Sequence, residues 1–249
     1  MKLYTAQYWL PSAVLLLTAC TAGGIQASLQ PVEVTIPSPQ SSITAQSPSR
    51  SAAPVLSSAP RSLRITVPFS PQAPFSNWDP LHEEACEEMS LIMVDRYWEG
   101  DGLTREQAEQ EILALVVWET EHGYGEDTTA VETQEIAREY FGLRTSVRTD
   151  VTPETIKDEL RKGRPVIIPA AGRDLGNPFF SGEGPWFHML VITGYTDDGR
   201  FITNDPGTKR GENYVYDADD LIAAIHDWTG VKERIREGAK AMVVVEGKI

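Results

Sequence analysis

Cysteine is almost missing from this sequence: 249 residues contain two, Cys20 and Cys86. Histidine is scarce as well, at four, and 22 Lys and Arg stand against 36 Asp and Glu, for a formal charge of −14. The shortage of positive charge excludes a nucleic-acid binder, which needs clustered Lys and Arg to neutralise phosphates. It equally excludes a direct electrostatic grip on anionic lipid. No internal repeat is present, so solenoids and propellers drop out. What remains is ordinary globular material, 41% hydrophobic and 23% charged, long enough for one sizeable core and an appendage.

The appendage is N-terminal. Lys2 precedes an apolar core through Ala13, Val14, Leu15, Leu16 and Leu17, followed by Thr18, Ala19 and Cys20. This has the form of a secretion signal and is too short to span a bilayer. Its ending resembles the bacterial lipobox, which implies cleavage before Cys20 and acylation of that residue. The expected location is then extracytoplasmic, with the membrane reached through a lipid anchor only. The plainer alternative is a signal cut nearby, with Cys20 incidental. Once the segment is removed, Cys86 is the one thiol left. It has no disulfide partner, so it is either a buried, inert residue or one kept for its chemistry.

Three regions are expected: a lipoprotein signal at residues 1–20, a tether at 21–61 and a folded domain at 62–249. The tether is rich in Ser, Pro, Ala, Gln and Thr and lacks an apolar period, so it cannot bury enough surface to offset its ordering entropy. In the folded domain, Asp79-Pro80 opens a helix whose apolar positions Ala85, Met89, Ile92, Met93 and Tyr97 recur at helical spacing, placing Cys86 in its early turns. Thr104 with Gln107, and Thr129 with Glu132, form capping boxes for two more helices, the second stopped by Gly142. Thr152-Pro153 opens a fourth, ending at Gly163. The pattern then turns to strands at 164–168 and 188–193, a turn at 197–199, a return through Phe201 to Asp205, and further strands at 213–216 and 241–245 around a helix at 218–228. Helices first and an antiparallel sheet second make an α+β plan.

A thiol attacks a carbonyl well only as thiolate, which a nearby imidazole or a helix N-terminus favours. Cys86 has the helix. In the 188–205 hairpin, Asp205 returns opposite or diagonal to His188, so one hairpin delivers an imidazole and a carboxylate to fix its tautomer. Asn204 is the alternative orienting residue, on the opposite face of the strand.

Several stretches together resemble the C39-like cysteine peptidases of the papain superfamily, over residues 67–228. They are Val67-Pro68-Phe69 leading to Gln72, Cys86 with Ser90, Gly163-Arg164-Pro165-Val166-Ile167, His188 opening a strand that ends in Gly194-Tyr195, and Asp205-Pro206. The resemblance implies a papain-like fold and a hydrolase of peptide or related amide bonds. By that resemblance Cys86 is nucleophile, His188 base and acid, and Asp205 orients His188. Gln72 and the Cys86 N–H then hold the oxyanion. No cofactor and no metal are implied, and the substrate is a peptide or a peptidoglycan-type amide. The chain shows no transport or nucleotide-binding domain, so the leader-peptide substrates of transporter-fused members do not carry over.

The sequence departs from the family after the thiol, where Glu87-Glu88-Met89 replaces the usual Gly-Pro-Ala and Glu83 and Glu84 precede. Carboxylates oppose thiolate formation. They read first as solvent-facing charges at a helix start and second as the wall of a pocket for a cationic group. The Gly-rich loop at 170–187 brings Phe179, Phe180, Trp186 and Phe187 up to His188. Trp186 and Phe187 are candidate substrate contacts, with a core-capping role as the alternative. His82 and Cys86, four apart on one helix, are a rival metal pair. His122 and His226 read as structural. A rival of another class is a silent relative that binds peptides or wall fragments without cutting them.

Overall fold

The computed structural model describes residues 59–249. The signal segment, Cys20 and nearly all of the tether lie outside the described residues. In chain order the elements are β1 (Leu63–Arg64), α1 (Pro80–Glu83), α2 (Cys86–Glu99), α3 (Arg105–His122), α4 (Ala130–Glu139), β2 (Leu143–Arg148), α5 (Pro153–Arg161), β3 (Val166–Ala171), β4 (Phe187–Tyr195), β5 (Phe201–Asn204), β6 (Tyr214–Tyr216), α6 (Ala218–Ala224) and β7 (Met242–Lys248).

The helix openings follow from local chemistry. Both expected capping boxes form: Thr104 with Gln107 opens α3, and Thr129 with Glu132 opens α4. Thr152 with Thr155 does the same for α5, with Pro153 in its first turn. Asp79 accepts the His82 N–H at 3.1 Å and starts α1. That helix lasts four residues, because Glu84 and Ala85 leave helical geometry before the chain coils again. The single helix expected from Asp79 is therefore two. Cys86 becomes the first residue of α2, and its cap Ala85 has no side chain to bond the free N–H groups there.

The strands join in the order β2-β7-β3-β4-β5-β6, with β1 on β4, and every pairing is antiparallel. Alternation sends Ile167, Met189, Val191, Val243 and Val245 to one face, where Met89, Ile92 and Met93 of α2, Ile112 and Leu115 of α3 and Ile136 of α4 cover them. Val166, Ile168, Leu190, Ile192 and Val244 go to the other, under Ile156 and Leu160 of α5 and Leu221 of α6. With both faces covered, the central strands read as unbroken apolar runs. Each large side chain so buried contributes about 1.5–3 kcal/mol. The α+β plan read from the sequence, helices followed by an antiparallel sheet, is the plan observed.

Two strands escaped that reading. β1 has two residues, and β2 is one of the two outer strands of the sheet, where Arg144, Thr145, Ser146 and Arg148 show no buried alternation. The last helix is also shorter than expected. It ends at Ala224, and Ile225 turns extended to bridge to Ala170, so His226 and Trp228 lie beyond it.

Candidate active site

β5 stops short of β4. Its last pair is Asn204 with Val191, so β4 from Phe187 to Leu190 continues with that edge unpaired. Into this gap α2 brings its first residue. The Met189 N–H, past the last pair, donates to Cys86 Sγ at 3.3 Å.

The next residue back along β4 is His188, 1% exposed. Its Nε2 is 2.7 Å from Oδ1 of Asp205, just beyond the end of β5. Asp205 is fully buried, and its oxygens also accept from Gly207 N–H at 3.0 Å, Asn177 Nδ2 at 3.0 Å and the Tyr216 hydroxyl. Burial alone would raise this carboxyl, but the imidazole charge and hydrogen bond, with Tyr216 and Gly207 behind them, hold it below the ordinary carboxylate range. An ionised Asp205 fixes the proton of neutral His188 on Nε2 and leaves Nδ1 with a free lone pair. Asn204 is occupied elsewhere: its Nδ2 donates to Val67 O at 3.0 Å, and its Oδ1 accepts from Asn213 N–H.

Cys86, His188 and Gln72 line one cavity of about 850 Å³. The thiol's close side-chain partner is not the imidazole but Oε2 of Glu87, at 2.9 Å. Burial first, then the charge and hydrogen bond of Glu87, push the thiol well above its ordinary value, against the pull of Met189 N–H. The Cys86 N–H, at the start of α2, has no acceptor among the described residues. Gln72 departs from its expected role as ready oxyanion donor: both hydrogens of Nε2 go to the carbonyls of His82 (2.9 Å) and Glu83 (2.8 Å). Its Oε1 is the end left without a partner. To hold an oxyanion, Gln72 must release one of those carbonyls.

The acids near the thiol divide in two, correcting the expectation that all face solvent. Glu87 and Glu88 are buried, at 1% and 5% exposure. Glu83 and Glu84 line the cavity together with Glu126 and Asp127. Burial, then Glu84 and Glu126, raise Asp127 to about 6, and burial, Glu126 and Glu83 raise Glu84. Lys232 is the one cation lining the cavity near them, while Lys209 and Arg210 enter from the segment between β5 and β6.

Of the expected substrate contacts, Trp186 lines the cavity half-buried, with the Arg173 guanidinium 3.7 Å over its ring. Phe187 reaches the cavity too, but at 6% exposure and packed on Trp228 it belongs mainly to the core. The ring closest to the chemistry is Phe180, set edge-on to His188. The metal pair does not assemble. The break at Glu84 and Ala85 separates His82 from Cys86, and the His82 ring nitrogens bond Asp79 (2.7 Å), Asn77 (3.2 Å) and Glu109 (3.2 Å). His122 stacks on Trp118, and His226 bonds the Gly238 carbonyl.

Sequence reasoning missed Asn177, Tyr216 and Gly207. Asn177 sits in the Gly-rich loop singled out for its rings. Gly207 follows Asp205-Pro206, and a Cβ there would stand 2.8 Å from His188 Cε1.

With this geometry in hand, comparison with known proteins gives a family match. The family model described as Peptidase_C39 like family matches residues 64–234. No curated protein matches the sequence. Among solved structures, a C39-like peptidase from Bacillus anthracis is similar with a TM-score of 0.47 at 16% identity, over 74% of this chain and 96% of that one. Prointerpain A from Prevotella intermedia is similar with a TM-score of 0.34 at 18% identity, over 56% of this chain and 41% of that one.

Proposed function

Since this chain belongs to the Peptidase_C39 like family, we propose that it is a thiol hydrolase that opens a peptide or related amide bond through Cys86, His188 and Asp205. The observation that carries the reading is that His188, paired with the buried Asp205, shares one cavity with a thiol at a helix start. Nδ1 of His188 takes the thiol proton, and Sγ bonds the carbonyl carbon. The oxyanion is held by the Cys86 N–H, and by Gln72 once it releases a carbonyl. The proton then passes from Nδ1 to the leaving amine. Water, activated by the same nitrogen, releases the acyl group and restores the thiol. No cofactor enters this cycle.

The charges on the cavity wall narrow the substrate. Glu83, Glu84, Glu126 and Asp127 form no ion pair among the described residues, which suits a cationic side chain or free amine on that side. Lys209 and Arg210 suit a carboxylate on the other. Peptides and peptidoglycan stems both offer such groups. The signal and lipobox add an extracytoplasmic location on a lipid anchor at Cys20, tested by incorporation of labelled palmitate that Cys20→Ala abolishes.

The second reading, a silent binder, is favoured by one observation: the thiol meets Glu87 rather than the imidazole. A thiol-directed activity probe separates the two. Labelling at neutral pH that falls at least about tenfold in His188→Ala supports the hydrolase. A thiol inert in both proteins supports the binder. A peptide library varying Lys, Ala and Glu at each position then tests the acidic wall, which requires Lys to be preferred at one subsite.

A further inference from the structure

Glu87 is the feature that the reaction above does not use. It follows the nucleophile in sequence, lies in the core at 1% exposure and forms no ion pair with a Lys or Arg among the described residues. Its two oxygens have different partners. Oε1 accepts the Thr128 N–H at 3.0 Å, while Oε2 lies 2.9 Å from Cys86 Sγ.

A thiolate and a carboxylate cannot both stand at that separation on side chains this buried. One proton must stay between them whenever the other has left. If Cys86 is the nucleophile, on which this inference rests, its own proton goes to His188 for attack, so the remaining proton must be on Glu87. Thr128 N–H claims Oε1 as an acceptor, which leaves Oε2, facing the sulfur, to carry it.

We propose that Glu87 works as a protonated carboxylic acid whose Oε2–H donates a hydrogen bond to the Cys86 thiolate, completing a pair of donors with the Met189 N–H. Glu87 transfers no proton in the cycle. Its hydrogen bond is strongest while the sulfur is charged and weakens as the S–C bond forms and charge moves to the oxyanion. Burial foremost, then the neighbouring acids Glu88 of α2 and Asp127 beside Thr128, favour its neutral form and outweigh the thiol and the Thr128 N–H, which favour the anion. An acidic residue after the nucleophile, which as an anion would silence the thiol, thereby becomes a device for activating it.

The test compares wild type, Glu87→Leu and Glu87→Gln as full chains, reading the iodoacetamide rate of Cys86 against pH and the infrared difference spectrum. Leu removes the donor, so the thiol midpoint rises and alkylation at neutral pH falls at least about tenfold. Gln keeps an acceptor for Thr128 and offers an N–H to sulfur, so it restores most of that loss. The wild-type minus Gln spectrum shows the carbonyl band of a protonated carboxylic acid at neutral pH. An ionised Glu87 gives the opposite result: both substitutions raise alkylation, and a carboxylate band is lost instead. Should Leu fail to fold, the infrared comparison with Gln decides alone. Failure of the hydrolase reading is a separate result, since it appears as alkylation unaffected by His188→Ala.

Discussion

His188 Nε2 and Asp205 Oδ1 stand 2.7 Å apart with both side chains buried, and the other carboxylate oxygen is held by Tyr216 and Asn177. The carboxylate is therefore fixed before it fixes the imidazole. Asp205→Asn should lower turnover by about 10²- to 10⁴-fold by upsetting the tautomer. Tyr216→Phe should cost less, because Asn177 still holds Oδ2. Kinetics on a library-derived peptide separates the two.

The same carboxylate has a signature in stability. Its folded value is depressed, so its contribution is present above the unfolded value of about 3.9 and is lost as pH falls below it. Denaturant melts carried from about pH 5 down to about pH 2 should show the loss in wild type. Asp205→Asn should flatten it.

Glu88 and Glu119 act in the opposite sense. Each keeps a buried oxygen without a donor, and burial raises both, Glu119 to about 7. Burial is the largest cause for both, followed at Glu88 by the charge of Glu119. A raised acid gives the fold its full stability below the unfolded value and withdraws it as pH rises through the folded one. Stability should thus decline between about pH 4.3 and pH 7. Glu119→Gln should remove most of the decline, gaining on the order of 1–3 kcal/mol at alkaline pH in urea melts.

Gly207→Ala is a steric test. The added Cβ would sit 2.8 Å from His188 Cε1 and 2.9 Å from Phe180. The imidazole and the ring must shift, so turnover should drop at least about a hundredfold. Thermal stability should fall far less.

Trp186 and Phe187 should part company when each is cut to Ala. Phe187 packs in the core on Trp228, and its loss should cost about 3–5 kcal/mol in denaturant melts. Trp186 lies on the cavity wall, so its loss should raise KM with little change in stability.

How much of this could be read in advance depended on whether the signal was local. Thr104–Gln107 and Thr129–Glu132 announce their helices because a capping box is complete within four residues. His188 and Asp205 could be paired because one hairpin returns the chain on itself. The break at Glu84 and Ala85 had no such mark. Gln72, ten residues upstream of His82, takes up the carbonyls at the end of α1, and a helical pattern runs straight across the break. The burial of Glu87 and Glu88 was invisible for a related reason. First-turn acids are ordinarily exposed, and only the approach of Thr128, 41 residues away, encloses Glu87. Asn177 and Tyr216 reach Asp205 from separate parts of the chain, and nothing in their own neighbourhoods points to it.

The stretch from Ile65 to Gln72 is sewn across the hairpin: Ile65 N–H to Thr193 O, Asn204 Nδ2 to Val67 O, and Gln72 N–H to Pro206 O. The Asn204 bond joins residues 137 apart in sequence. Such closures come late in folding, because the loop entropy must be met before the contact is made. A refolding chain would then have its helices and central strands before it has a working site, and recovery of activity should trail recovery of secondary structure.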